Sequence, residues 1–266
     1  MKISVITACY NSAATIRTAI ESVLEQRDVE LEYIIVDGGS KDGTVDVIKE
    51  FAARPVRPGS PVCPVIKWLS EPDKGMYDAI NKGIKMATGD IVGILNADDV
   101  LASNDTLAHV AEAFKPDIDA LYADIRFVRT GDSIETLRDA KTVRYCSAAK
   151  WKPWMFRFAA MVPHPSFYVR RACFERLGGY SLDYRICADF ELELRYLYLA
   201  QLKAAYLPEC VVVMRMGGMS TAGWRANVEI NREDLRALRA HGVWSCLSLI
   251  YLKYLFKIWG FVFKRK

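Results

Sequence analysis

Residues 3–24 read ISVITACYNSAATIRTAIESVL, and they set the pattern for the half of the chain that follows. Residues 3–9 (ISVITAC) are a short apolar run, which predicts a buried strand. Ser12 is placed to cap a helix, and Ile16, Ala19, Ile20, Val23 and Leu24 then recur at the helical period. The same unit returns. Residues 33–36 (YIIV) predict a second strand, Asp37-Gly38-Gly39-Ser40 a turn, and Val45, Ile48 and Phe51 one face of a helix. The proline-rich stretch from Arg54 to Pro64 reads as a loop. Residues 65–69 (VIKWL) predict a third strand, a helix runs from about Met76 to Ala87, and residues 91–95 (IVGIL) predict a fourth strand. Strands alternating with helices imply parallel βαβ units in an open sheet with helices on both faces. Ligands of such sheets bind beyond the carboxyl ends of the strands. There this chain places Thr7-Ala8-Cys9-Tyr10-Asn11, Asp37 and Asn96-Ala97-Asp98-Asp99.

After residue 100 the pattern changes. A helix is expected over about 103–115, with Leu107, Val110, Ala111 and Phe114 inward. Short strands of a mixed or antiparallel kind are expected near 119–128 and 134–140. A helix over about 186–200, strands over 204–214 and a long helix over 223–241 follow. No linker cuts the chain into independent domains. The expected organisation is one unit over 1–222, divided into halves at residue 100, and a helical extension over 223–266.

Composition narrows the class. The 266 residues are 52% hydrophobic and 26% charged, which is globular and excludes a disordered or coiled-coil chain. Net charge is only +4, no argument for a nucleic-acid partner. The cations concentrate at the end, where Lys253, Lys257, Lys264, Arg265 and Lys266 follow without an acid. Seven cysteines, an odd number without CxxC spacing, argue against a disulfide framework or a zinc site and for a reducing compartment. Lys2 is followed by Ile-Ser-Val-Ile-Thr, too short and alternating for a signal peptide. There is no GxxxxGK[ST] stretch and no GxGxxG after the first strand, so phosphate-loop and dinucleotide readings lack their main feature.

Residues 243–263 (VWSCLSLIYLKYLFKIWGFVF) would reach roughly 32 Å as a helix, enough to span a bilayer. Lys253 sits in the middle, where a lysine costs about 2.5–3.5 kcal/mol on insertion scales. Lys253, Lys257, Gly260 and Lys264 form one polar stripe, which fits a helix lying in the membrane interface, helped by the terminal Lys-Arg-Lys. The alternatives are a core or dimer helix with its lysines in water, and a true span.

The acidic strand ends allow a specific chemistry. Crowded carboxylates repel, and a divalent cation relieves that repulsion. Oxygen ligands favour Mg²⁺ or Mn²⁺, held by one or two carboxylates and substrate phosphates. Asp98 and Asp99 with Asp37 nearby would suit a metal–diphosphate site; equally, Asp98-Asp99 could start a helix, and DGGS is good turn chemistry anywhere. Asp189 shares a helix side with Glu193 at i, i+4 spacing, which by itself describes a solvated face. His164, in Pro163-His164-Pro165, has an ordinary structural reading as well.

In order, the segments resemble the family 2 glycosyltransferases of the GT-A fold. The resemblance is carried by Thr7–Asn11, Val36–Thr44, Glu71–Gly83 (EPDKGMYDAINKG), Gly89-Asp90 through Leu95-Asn96-Ala97-Asp98-Asp99, His164-Pro165-Ser166, Gly178-Gly179-Tyr180, Ala188-Asp189-Phe190-Glu191 and Gly217-Gly218-Met219-Ser220. It covers about residues 2–220. It implies a Rossmann-like, mostly parallel central sheet flanked by helices, a smaller mixed sheet on the acceptor side, and the C-terminal amphipathic helix as an addition. It implies an inverting transferase that uses a nucleoside diphosphate sugar, with UDP expected and GDP or dTDP as alternatives.

The implied roles fall on named positions. Asp37 would bind the base, and Thr7, Ala8, Tyr10 and Asn11 would line base and ribose. Gly75, Asp78 and Asn81 would sit near nucleotide or sugar. Asn96-Ala97-Asp98 stands where the family carries DxD, with Asn in the first place. Asp98 and Asp99 would hold Mn²⁺ or Mg²⁺. Asp189 matches the general base. Arg215, Gly217, Gly218 and Ser220 match a loop that closes on the diphosphate, and His164 a position near donor or acceptor. The first motif lacks the family's frequent proline, and the GG-Met-Ser loop lacks a histidine that some members use near the metal. The implied acceptor is a lipid-linked saccharide or glycan in cell-surface polysaccharide assembly, at the cytoplasmic face of the inner membrane. Homo-oligomerisation is left open. Two other classes fit less well: a catalytically silent nucleotide-sugar-binding or scaffold protein on the same fold, and a nucleotidyltransferase, which would be expected to carry a glycine-rich phosphate loop.

Overall fold

A computed structural model describes residues 1–54, 66–129, 131–217 and 224–253. Its first half is the expected alternation. Strand β1 (Lys2–Cys9) pairs in parallel with β2 (Glu30–Asp37) and β4 (Ile91–Ile94), and β2 with β3 (Ile66–Ser70). Helices α1 (Ile16–Leu24), α2 (Thr44–Ala52) and α3 (Met76–Met86) connect them. The period-2 rule decides which residue meets which layer. Ile6, Ile34 and Val36 pack with Ile80 of α3 on one face, while Val5, Tyr33 and Ile35 pack with Ile16, Ile20 and Ile48 of α1 and α2 on the other. Ser12 starts α1 through its carbonyl, which accepts from the Thr15 and Ile16 amides; its hydroxyl turns back to the Tyr10 carbonyl.

The second half extends the same sheet rather than forming a separate smaller one. Strands β5 (Val100–Leu101), β6 (Ala120–Val128), β7 (Arg144–Cys146), β8 (Tyr168–Arg170) and β9 (Ala204–Arg215) complete it. The order is β3-β2-β1-β4-β8-β6-β9-β5, with β7 beside β6. The join is β8 running antiparallel to β4. Gly93 makes it close, because a Cβ there would lie 2.4 Å from the Tyr168 ring. Pairing of β6 with β9 is parallel and interrupted by a bulge at Asp124.

Two expectations on local structure are corrected. Residues 134–140 do not form a strand. Ile134–Asp139 is a helix, α5, because Ser133 and Thr136 make a reciprocal capping box and Ile134 and Leu137 bury one face. The C-terminal stripe is also revised. After α4 (Thr106–Ala113), α6 (Arg171–Leu177), α7 (Ala188–Glu193) and α8 (Trp224–Ala240), the chain turns into α9 (Leu247–Tyr251). Just beyond it Lys253 points inward, buried, with Nζ 2.6 Å from Asp234 Oδ2 of α8. A lysine so far from water needs its counter-ion, and Asp234 supplies it. Trp244, Leu247, Tyr251 and Leu252 are the exposed side chains instead. The rest of the expected interfacial helix, from residue 254, and the expected loop from residue 55 lie outside the described residues.

Candidate active site

The turn after β2 uses up the first predicted acid. Asp37 is fully buried; Oδ2 accepts from the amides of Gly39 and Ser40 at 3.0 Å and from Ser70 Oγ at 2.7 Å, and Oδ1 from Ser40 Oγ. Burial pushes its pKa up, but these bonds outweigh it and hold it below the ordinary Asp value. Asp37 therefore organises the turn, and its carboxylate is not presented to a base. The acid over that strand end is Asp73, from the loop before α3. A Cβ on Gly38 would lie 2.5 Å from Asp73 Oδ2, so the glycine lets that carboxylate rest over the turn. Asp73 Oδ1 accepts from the Gly75 amide at 2.7 Å, where Gly75 takes φ +116° ahead of α3. The β1 end is tied to the same turn. Asn11 receives the Lys41 amide on Oδ1 and gives its own amide to Ser40 Oγ. Thr7 also faces inward, bonded to the Leu95 carbonyl at 2.8 Å and Tyr33 Oη at 3.0 Å. Ala8 packs on the α3-side core, whereas Tyr10 stands exposed.

At the end of β4 the adjacent acids separate. Asp98 is part-exposed. Asp99 is fully buried, with Oδ2 accepting from Asn96 Nδ2 at 2.8 Å and Oδ1 from the Arg215 amide at 3.2 Å. Burial, and then the neighbouring Asp98 charge, push the Asp99 pKa well up. Asp99 thus ties β4 to the end of β9, and Asp98 is the more open of the two acids expected to hold a metal. Ala97, just before them, is buried. The Arg215 guanidinium is spent on the Asp98 carbonyl at 3.0 Å, Thr18 Oγ1 and the Gly131 carbonyl, so it braces this edge rather than reaching for a phosphate. Gly217 follows with φ +125° in open space. Gly218 and Ser220 lie outside the described residues.

Asp189 reaches the same edge through α3, whose N-terminus faces the carboxyl ends of the strands. Tyr77, in the first turn of α3, donates to the Ile186 carbonyl at 2.6 Å and lies 3.2 Å from Asp189 Oδ1. The Phe190 amide gives Oδ1 a second bond at 2.8 Å. Oδ2 accepts none of the hydrogen bonds among the described residues. Burial raises the Asp189 pKa to about 6, against the bonds from Phe190 and Tyr77 that lower it. Glu193, one turn on, is fully buried and pushed well above the ordinary Glu value by burial and then by Asp189. Its Oε2 accepts the Val162 amide, and Oε1 has no partner among the described residues.

An aromatic wall closes this side. Tyr180 stacks on Tyr77 at 5.5 Å and its hydroxyl lies 2.7 Å from His164 Nε2. Burial drops the His164 pKa to about 4, so the ring is neutral at pH 7. Asn81 is not free to touch a sugar. Its amide clamps the Tyr180 backbone from both sides, at 2.8 and 2.9 Å. Asp78 Oδ2 accepts the Lys74 amide at 3.1 Å and remains half-buried. Among the described residues no three His, Cys, Asp or Glu side chains converge to hold a metal.

Asp98, part-exposed at the end of β4, and Asp189, held beside the aromatic pair Tyr77 and Tyr180, are the acids that this side of the sheet leaves least engaged among the described residues. Residues 4–178 match the family model described as Glycosyl transferase family 2. The chain belongs to this family. It is similar to the PGL/p-HBAD biosynthesis glycosyltransferase of Mycobacterium tuberculosis (strain ATCC 25618 / H37Rv), 29% identical over 88% of this chain and 83% of the relative. An uncharacterized glycosyltransferase of the same strain is 31% identical over 73% and 68%. Among solved structures, Staphylococcus aureus TarS 1–349 with UDP-GlcNAc superposes with a TM-score of 0.64, 18% identity, 90% of this chain and 66% of that one. The Pyrobaculum calidifontis mannosyltransferase with GDP-Man and Mn²⁺ gives 0.63, 23%, 98% and 72%. These likenesses establish the GT-A fold.

In this family 2 glycosyltransferase, sequence reading missed Asp73, Tyr77 and Tyr180 as site residues, although each lies inside a quoted motif. Only the packing of α3 on the 178–189 segment shows that Tyr77 meets Asp189 and that Tyr180 stacks on Tyr77.

Proposed function

We propose that the protein transfers a sugar from a nucleoside diphosphate sugar, with inversion, to a hydroxyl of a lipid-linked or glycan acceptor. The observation that carries this reading is Asp189: one oxygen fixed by Tyr77 and the Phe190 amide, the other unengaged, and a pKa near 6. At pH 7 such a carboxylate is ionised yet basic enough to accept a proton. The acceptor hydroxyl gives its proton to Asp189 as its oxygen bonds to the anomeric carbon. The bond from that carbon to the diphosphate breaks, and the nucleoside diphosphate leaves. A single displacement inverts the centre. Mn²⁺ or Mg²⁺ would sit on Asp98 and the donor phosphates and neutralise the leaving group. Neutral His164 and Tyr180 would line the sugar, and Asp73 is the acid left to meet the base. UDP is the expected nucleotide, in keeping with the UDP-GlcNAc of TarS, and the GDP-Man of the archaeal enzyme keeps GDP as its alternative.

The setting follows from α9. No helix among the described residues is long and apolar enough to cross a membrane. Trp244, Leu247, Tyr251 and Leu252 are exposed, and Ser245 Oγ bonds the Arg157 carbonyl, which brings this region beside the 3₁₀ turn Pro153–Phe158 with its exposed Trp154. Apolar side chains outside and a lysine inside suit a lipid surface. We therefore place the enzyme peripherally at the cytoplasmic face of the membrane, where lipid-linked acceptors are built.

A thermal-shift titration with UDP, GDP, dTDP and ADP, with and without Mn²⁺, tests the donor side. A rise in Tm with one nucleotide, enlarged by Mn²⁺ and cut back in Asp98→Asn, is the expected result. No rise with any nucleotide would favour a silent scaffold.

A further inference from the structure

Helix α8 lies beyond the segment that the family model covers, yet it is bonded to the segment that carries the base. Glu233 accepts three successive amides: Arg185 on Oε1 at 3.2 Å, and Ile186 and Cys187 on Oε2 at 2.9 and 3.0 Å. Cys187 is the N-cap residue of α7, and its side chain makes no capping bond. Helix starts leave amides unsatisfied, and Ser, Thr, Asp or Asn usually serves them locally. Here a carboxylate from another helix takes the N-cap amide and the two amides before it, while the Phe190 amide turns to Asp189 Oδ1. We propose that Glu233 is the positioning residue for Asp189, so that the C-terminal extension completes the catalytic site. The proposal rests on the reading of Asp189 as the base.

The geometry supports it from both sides of one peptide. Tyr77 of α3 holds the Ile186 carbonyl while Glu233 of α8 holds the Ile186 amide. Asp189 follows within the first turn of α7, so a tilt of that turn redirects its free oxygen. A misplacement of about 1 Å at a reacting group can cost about 100-fold in rate. α8 is itself pinned: Asp234 pairs with Lys253, and Cys187 Sγ bonds the Ile230 carbonyl at 3.6 Å. Glu233 is also a like charge facing Asp189 and opposes its ionisation. The other titratable groups around Asp189 are Tyr77 of α3, Tyr180 of the 178–180 segment, Asp234 of α8, and Cys187 and Glu193 of its own segment.

Glu233→Gln removes the charge and one of the two acceptor oxygens. Two readouts are compared with wild type and Asp189→Asn. The first is nucleoside diphosphate release from UDP-, GDP- and dTDP-sugars. The second is a ¹³C NMR titration of the Asp189 carboxyl, which needs no acceptor. We expect kcat to fall about 10–100-fold, nucleotide-induced Tm shifts to persist, and the Asp189 titration to move to lower pH. Glu233→Asp, which keeps the charge but shortens the reach, should lose rate while leaving the titration near its wild-type midpoint. A wild-type titration and kcat in Glu233→Gln overturn the proposal. So does a loss of rate with no shift in titration, or a failure of both variants to fold, since each describes a merely structural residue. Asp189→Asn separates the two readings: if it retains transfer, the base assignment itself fails.

Discussion

Asp189 is held where its charge is costly, and that cost has a sign. Its folded pKa, about 6, lies above the ordinary value of about 3.9 for an unfolded aspartate. The folded state therefore binds the proton more tightly, and this contribution to stability is full below pH 4 and lost as pH rises through 6. Asp189→Asn should melt higher than wild type at pH 8, and the gain should shrink as pH falls to 5, in a calorimetric series. The adjacent acids Asp98 and Asp99 give a second contrast. Asp99→Ala strands the Asn96 amide and the Arg215 N–H, and should cost about 1–3 kcal/mol of stability by denaturant unfolding. Asp98→Asn should leave unfolding nearly unchanged and remove the Mn²⁺ enhancement of nucleotide binding. Spacing in the sequence marked both acids but not which one faces the cleft, since that depends on β9 arriving with the Arg215 amide. The same holds for Asp37 and Asn81. Motif reading finds them, but the side chains turn to Ser70 and Tyr180, partners 33 and 99 positions away.

At the level of elements, the parallel half was readable because each strand is an apolar run followed by turn residues and a 3.6-period helix. The mixed half was less so. α5 carries only six residues, and its helical state is decided by the Ser133–Thr136 capping box rather than by a long periodic pattern. The join between halves rests on Gly93. Gly93→Ala would drive a methyl into Tyr168, a ring buried to 2% exposure, and overpacking of this kind costs about 1–3 kcal/mol. A fall in Tm of several degrees, with the proposed nucleotide-induced Tm shift retained in the molecules that fold, is the expected outcome.

Across the whole molecule, Asp37 ends and Asp98 follows the two strands that flank β1 in one sheet, α3 brings Tyr77 to Asp189, and α8 holds the 185–187 segment through Glu233. Composition and the run over 243–263 pointed to a lipid surface, but the orientation could not be read from the sequence. The polar stripe placed Lys253 outward, whereas the buried Asp234 of α8 draws it inward. Among the described residues of this region, the exposed large apolar side chains are Trp244, Leu247, Tyr251 and Leu252, and the proposed lipid surface rests on them. Replacing Trp244 and Tyr251 together by Ala should weaken sedimentation with vesicles containing anionic lipid at least several-fold, without changing nucleotide-induced Tm shifts.

The central claim is that Asp189 takes the acceptor proton in a single displacement. The most direct measurement compares wild type with Asp189→Asn, using nucleotide-sugar donors and lipid-extract acceptors, for nucleoside diphosphate release against pH. Nucleotide binding is followed in parallel. The account predicts a wild-type rate that falls off below a midpoint near pH 6, and an Asn variant that binds nucleotide but releases none. An Asn variant that turns over at the wild-type rate, or a wild-type rate flat from pH 5 to 8, would contradict it.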